Sequence, residues 1–151
     1  MNKADIFNLA NAGIGNITNL TLDGKHAYKV LKFRRAINGA YTSLLDEIKA
    51  ITKEAAIEDP QAFDKERAEL RAITPRTPDE DKRLAEMDKT FDRYKELEKE
   101  LLSEEVKLDC VPMPYEAFHA LQKENEKTCP AITSPYIEDA LENVLWVAPE
   151  D

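Results

Sequence analysis

Few residues in this chain combine the type and the spacing that chemistry demands. Gly13-Ile14-Gly15-Asn16 is the one glycine-spaced loop. A phosphate cradle needs such a loop after a strand and before a helix, with a third glycine or a Gly-Lys-Ser/Thr ending, so that backbone N–H groups converge on the anion. Those features are missing, and the stretch reads as a flexible linker. Cys110, His119 and Cys129 are zinc-binding residue types, but they stand singly, nine and ten positions apart, rather than in close pairs. No metal and no cofactor are expected, and the two cysteines read as free thiols. His26 and His119 are the only two histidines, the residue type suited to proton transfer near neutral pH. No serine sits in a Gly-x-Ser-x-Gly elbow. The 30 acidic residues mostly fall on charged helix faces, whereas acid–base work needs a pocket that shifts a carboxyl. The sequence therefore predicts no catalytic residue and no enzyme.

Binding is the chemistry left open. Lys25, Lys29 and Lys32 recur at spacings of four and three on one helical face, and Arg35 follows them, a candidate contact for phosphate or nucleic acid. Against it stands the formal charge of -9 over 151 residues, since phosphate recognition rests on Lys and Arg; nucleic acid is not the expected partner. Near the C-terminus, Leu141, Leu145, Trp146 and Val147 include the single tryptophan and exceed what one helix stripe can hold. They are a candidate interface for a protein partner or a second copy, the alternative being a terminal helix docked into the core.

The elements that must carry these residues follow from apolar spacing and from where proline and glycine fall. All four Gly lie at or before Gly39 and all eight Pro at or after Pro60, so proline makes the breaks in the second half. Residues 4–11 suit a short helix, with 1–15 flexible. Ile17 to Leu22 alternates like a half-buried strand. From residue 24 to 56 apolar residues recur every three or four positions (Val30, Phe33, Ile37, Tyr41, Leu44, Ile48), which predicts one long helix of about 48 Å at ~1.5 Å per residue. Asp59-Pro60 starts a connecting helix over 60–73, and Thr77-Pro78-Asp79-Glu80 is a capping box that opens a second long helix over 78–105. Val106, Leu108 and Cys110 alternate as a second strand. Packing helices are predicted over 114–127 and, after Ser134-Pro135, over 134–147.

The two long stripes are complementary as antiparallel partners when Val30 faces Leu101, Ile37 faces Tyr94 and Leu44 faces Met87. The expectation is a single, mainly α domain: a long antiparallel helical hairpin, a small two-stranded antiparallel ribbon at its base joining 17–22 to 106–111, and short packing helices. This register sets Lys25, Lys29, Lys32, Arg34 and Arg35 beside Glu96, Glu98, Glu100, Glu104 and Glu105, so the two clusters are expected to neutralise each other. Arg34 and Glu98 each interrupt an apolar seam, and they are expected to form a register-fixing ion pair.

The order of strand, lysine-rich long helix, charged helix, short strand and final helices resembles small tailed-phage or prophage proteins of unknown function. The likeness lies in Leu20-Thr21-Leu22 leading into Ala27 to Ile51, and in Glu104 to Cys110 leading into Tyr115 to Leu121. It implies a non-enzymatic interaction protein, an accessory of phage assembly or an acidic inhibitor of a host factor, in the host cytoplasm or associated with the virion. The rival expectation is a phosphate- or nucleic-acid-binding module using the basic helix face. No apolar run reaches the ~18 residues of a membrane span, and a cytoplasmic protein without membrane contact is expected.

Overall fold

The computed structural model describes residues 1–150. Those residues form six α-helices and two short strands: α1 Lys3–Asn11, α2 Gly24–Glu54, α3 Pro60–Ala72, α4 Pro78–Ser103, β1 Met113–Pro114, α5 Tyr115–Asn125, α6 Pro135–Leu141 and β2 Trp146–Val147. The chain is mainly α. Local chemistry sets most of the starts. Asn2 and Asp5 exchange side-chain and backbone bonds ahead of α1, Asp59 accepts the Ala62 N–H at α3, and Thr77 and Glu80 close their capping box at α4.

At the end of α2, Ile57 N–H reaches Thr52 O at 3.0 Å and Ala56 N–H reaches Lys53 O at 2.9 Å. These are the paired bonds of a Schellman closure, and they hold Ala56 at φ 64. A side chain in that left-handed region costs about 1–2 kcal/mol, against about 0.4–1 kcal/mol of added chain entropy for glycine when unfolded. Ala56→Gly is expected to raise the thermal midpoint by a degree or two; an unchanged or lower midpoint would show that Ala56 is unstrained.

The chain divides into two compact units. One comprises Met1–Leu44 with Glu104–Asp151 and the other Leu45–Ser103, with α2 running from the first into the second.

In the first unit, Val30, Phe33, Ile37 and Leu44 of α2 are buried, as are Ile6 and Leu9 of α1 and Phe118, Leu121, Ile132, Ile137 and Leu141 toward the C-terminus. The ribbon differs from expectation. Residues 17–22 and 106–111 contain no strand; instead β1 and β2 pair in parallel, Met113 opposite Trp146. The physical reason is that side chains already satisfy the backbone a partner strand would have paired. Asn125 Oδ1 accepts the Thr18 N–H and its Nδ2 donates to Thr18 O, while the Glu124 carboxylate accepts the N–H groups of Leu20 and Thr21. Leu20, expected half-buried, is 86% exposed.

Burial pushes the Glu124 carboxyl up, but hydrogen bonds from Thr18, Thr21 and Leu20 outweigh it and hold it below the ordinary value of 4.5. A carboxyl lowered by folding stabilises the fold above its unfolded value and loses that contribution as pH falls through the folded one. Glu124→Gln is therefore expected to lower the thermal midpoint at pH 7, with the difference from wild type fading as pH drops below 4.5. A constant difference down to about pH 3 would refute an anionic anchor.

The helix expected over 134–147 stops at Leu141. Glu142 is extended and Asn143 turns left-handed at φ 62, a conformation asparagine tolerates. The turn buries both Leu145 and Trp146, which one helix stripe carrying Ile137 and Leu141 cannot do. The glycine stretch at 13–16 is a packed 3-10 turn rather than an open linker, with Ile14 and Gly15 buried. A Cβ on Gly15 would run into Asn38 Oδ1.

In the second unit, Ala55, Ile57 and Leu97 form a buried cluster flanked by Ile51, Phe63 and Tyr94. Here the register departs from expectation. Glu54 meets Arg93 at 3.5 Å, whereas the expected pairing puts Glu54 beside Thr77. The offset is roughly 16 residues, or about 24 Å along a helix. The cause is α3: Arg67 and Arg71 both bind Asp88, and Arg83 binds Glu66, so α3 takes the stretch of α4 that the hairpin had assigned to α2. Arg67 also stacks 4.0 Å above the centre of the Phe91 ring.

Candidate functional site

The first turns of α2 place Lys25, Tyr28, Lys29 and Lys32 on one face by helical period. The strandless segment before β1 is tied to that face by Lys32 Nζ, 3.3 Å from Asp109 Oδ1, and by Lys29 Nζ, which donates to Pro112 O at 3.0 Å. Between helix and segment lies a depression of about 360 Å³ lined by the three lysines, Tyr28 and Val111. A second, of about 450 Å³, shares Lys29 and continues past Pro112, Pro114, Tyr115 and Glu116 to Val147, Pro149 and Glu150, so carboxylates line its far end and the cationic part is the end at the three lysines. Tyr28 is 62% and Val111 49% exposed. The Tyr28 ring and the Val111 side chain thus stand in water beside three ammonium groups.

The groove's wall is built from below. Tyr115 OH donates to Glu138 Oε1 at 3.1 Å, and Gln122 Nε2 donates to Glu138 Oε2 at 2.8 Å. Trp146 Nε1 donates to the Glu138 carbonyl at 3.0 Å. The Tyr115 and Trp146 rings meet edge-on with centroids 4.9 Å apart. Glu138 thereby locks α5, α6 and β2 together, and the hydrogen bond to Glu138 holds the Tyr115 phenol above its usual range.

Of the residues singled out from sequence, Lys25, Lys29 and Lys32 line the groove, and Arg35 does not. Leu141, Leu145 and Trp146 are buried, so they are core residues rather than an interface, because the turn at Asn143 folds them inward. Val147 alone of that set lines the groove. Arg34 and Glu98 each have a partner inside their own unit: Arg34 Nε donates to Gly15 O at 3.1 Å, and Glu98 binds Lys95 at 3.1 Å. These contacts stand where their mutual ion pair was expected. Of the acidic cluster, Glu104 pairs with Lys3, Glu105 with the N-terminal amine and Glu96 with Arg93.

Sequence reasoning missed Tyr28, Val111 and the proline wall. Tyr28 sits between two lysines on the basic face, which was a usable signal. Nothing local marks Val111, because its place depends on Asp109 and Pro112 finding their lysines.

Among the described residues no group of three or more His, Cys, Asp or Glu is arranged to hold a metal ion, and no helix is long and apolar enough to cross a membrane. Cys110 Sγ donates to Val144 O at 3.2 Å. Burial pushes this thiol up, Asp109 adds to the shift and Lys32 opposes it, so it is a poor nucleophile. Cys129 Sγ donates to Ala12 O at 3.3 Å. No protein-family profile, curated protein or solved structure matches the chain.

Proposed function

We propose that the protein is a non-enzymatic interaction protein whose groove beside α2 receives an acidic, apolar segment of a protein partner. The observation that carries this reading is the exposure of Tyr28 and Val111 beside Lys25, Lys29 and Lys32. An apolar floor rewards buried side chains, and the cationic rim selects carboxylates around them. A polyanion such as nucleic acid is served less well, since three lysines are a short cationic track for a phosphate backbone in a chain of net charge -9. The tailed-phage-like sequence order directs the first search toward assembly components and host factors in the cytoplasm.

The test is binding of the full chain to an array of short synthetic peptides. Peptides combining acidic with aromatic or aliphatic residues are expected to be selected, and Val111→Asp or Lys25→Glu/Lys29→Glu should weaken the best of them about tenfold or more. Indifference to peptide charge, or full binding by both variants, would end this reading. Steeply salt-dependent binding of a single-stranded oligonucleotide, lost in the lysine variant, would replace it with the nucleic-acid alternative.

A further inference from the structure

The second unit holds a cleft that the partner groove does not explain. Along α4, Phe91, Tyr94, Lys95 and Glu98 follow at spacings of three and four and share a face, and α3 brings Phe63 and Asp64 to the same place. Together they line about 320 Å³, the small end of the roughly 300–1,000 Å³ range of ligand cavities. Three aromatic rings, two carboxylates and the Lys95 ammonium line the cleft, while the Arg67 guanidinium, held by Asp88, lies 4.0 Å from the centre of the Phe91 ring. Asp64 has no hydrogen-bond or ion-pair partner among the described residues.

The position of Lys95 shows what these walls accommodate. Its Nζ lies 5.4 Å from the centre of the Phe91 ring and 6.0 Å from that of Tyr94, both at cation–π range, and 3.1 Å from Glu98. The tether is loose: about half of the Lys95 side chain is exposed. Tyr94 stays a neutral phenol across the physiological range, pushed up to about 12 by burial first and then by its hydrogen bond to Glu98 and the charges of Glu98 and Asp64. Aromatic faces together with carboxylates are the chemistry that recognises alkylated ammonium groups, which gain from ring faces and lose little on leaving water.

We propose that this cleft binds an organic cation with an alkylated ammonium head, and that Lys95 occupies the site as a built-in competitor. The ligand swings Lys95 outward, places its head against Phe63 and Tyr94, and turns the charge toward Asp64 and Glu98, while Arg67 keeps its place on Phe91. A quaternary head from a free small molecule and one from a trimethylated lysine share this chemistry.

The test titrates choline, a trimethyllysine peptide and the neutral carbon isostere 3,3-dimethylbutanol into the full chain, followed by ligand-observed NMR and calorimetry. Saturable binding of at least one cation, with the isostere about tenfold weaker or more, supports the site; the tighter cation identifies the source. Lys95→Met is expected to tighten the cation about fivefold or more, and Asp64→Asn, at an exposed carboxylate, to weaken it about threefold while leaving the circular dichroism spectrum unchanged. Equal binding of the isostere, no saturable binding of either cation, or a Lys95→Met variant that binds no tighter would each overturn the proposal.

Discussion

Phe118→Ala is expected to remove about 3–5 kcal/mol of stability, the cost of deleting a buried aromatic ring whose surroundings relax only in part. Phe118 is 0% exposed, lies 5.7 Å from Trp146 in a stacked arrangement and 6.2 Å from Tyr115 in a tilted one. Removing it therefore opens a void against the ring that anchors β2. Since folded domains of this size hold only ~5–15 kcal/mol in total, the loss should lower the thermal midpoint by roughly 10 °C. Trp146 is the only tryptophan, so its fluorescence follows the first unit alone, and its emission should move to the red in the variant. A loss below about 1 kcal/mol would mean that Trp146 and its neighbours collapse into the void at little cost.

Asn125→Ala follows with about 1–3 kcal/mol, for a different reason. The Asn125 side chain, 1% exposed, acts as a one-residue strand: Oδ1 accepts Thr18 N–H at 2.8 Å, and Nδ2 donates to Thr18 O and Leu121 O, each at 2.9 Å. Alanine removes all three bonds from a buried side chain, and the backbone of Thr18, an exposed residue, is left to pair with water instead of with α5. Asn125→Asp separates hydrogen bonding from packing. It keeps the volume and the acceptor but turns an oxygen toward two carbonyls, so it should be at least as unstable as alanine at pH 7 and recover as acid protonates the carboxylate. Chemical denaturation of both variants at pH 7 and pH 4 checks this. A fully stable Asn125→Ala, or an Asn125→Asp variant that worsens with acid, would refute the strand-like role.

These two residues mark how far the sequence could be read. Phe118 belongs to the apolar stripe Tyr115, Phe118, Leu121, and its burial was legible from spacing alone. Asn125 continues that stripe four positions after Leu121, next in line after Gln122, and both polar residues are buried. A polar residue on a core stripe is a signal that something must bond it, yet the stripe does not say what. The alternation at 17–22 pointed to a strand partner. No strand forms there, and the partners of that backbone are the side chains of Asn125 and Glu124.

By itself the sequence determined what depends on a few adjacent residues: the helices, because apolar period, proline position and caps act within one or two turns, and the absence of any glycine-loop or elbow motif. The tertiary structure alone decided what depends on competition between surfaces. α2 and α3 both offer apolar and charged faces to α4, and pairing along an apolar stripe is nearly degenerate in register, since Val, Ile, Leu and Met substitute for one another at each step. Directional contacts broke the degeneracy: Arg67 and Arg71 on Asp88, and Glu54 on Arg93. The same logic moved the lysines of α2 from the expected glutamates to Asp109 and the Pro112 carbonyl. An ammonium group pairs with whichever acceptor the chain's path brings within reach, and that path is a property of the whole fold.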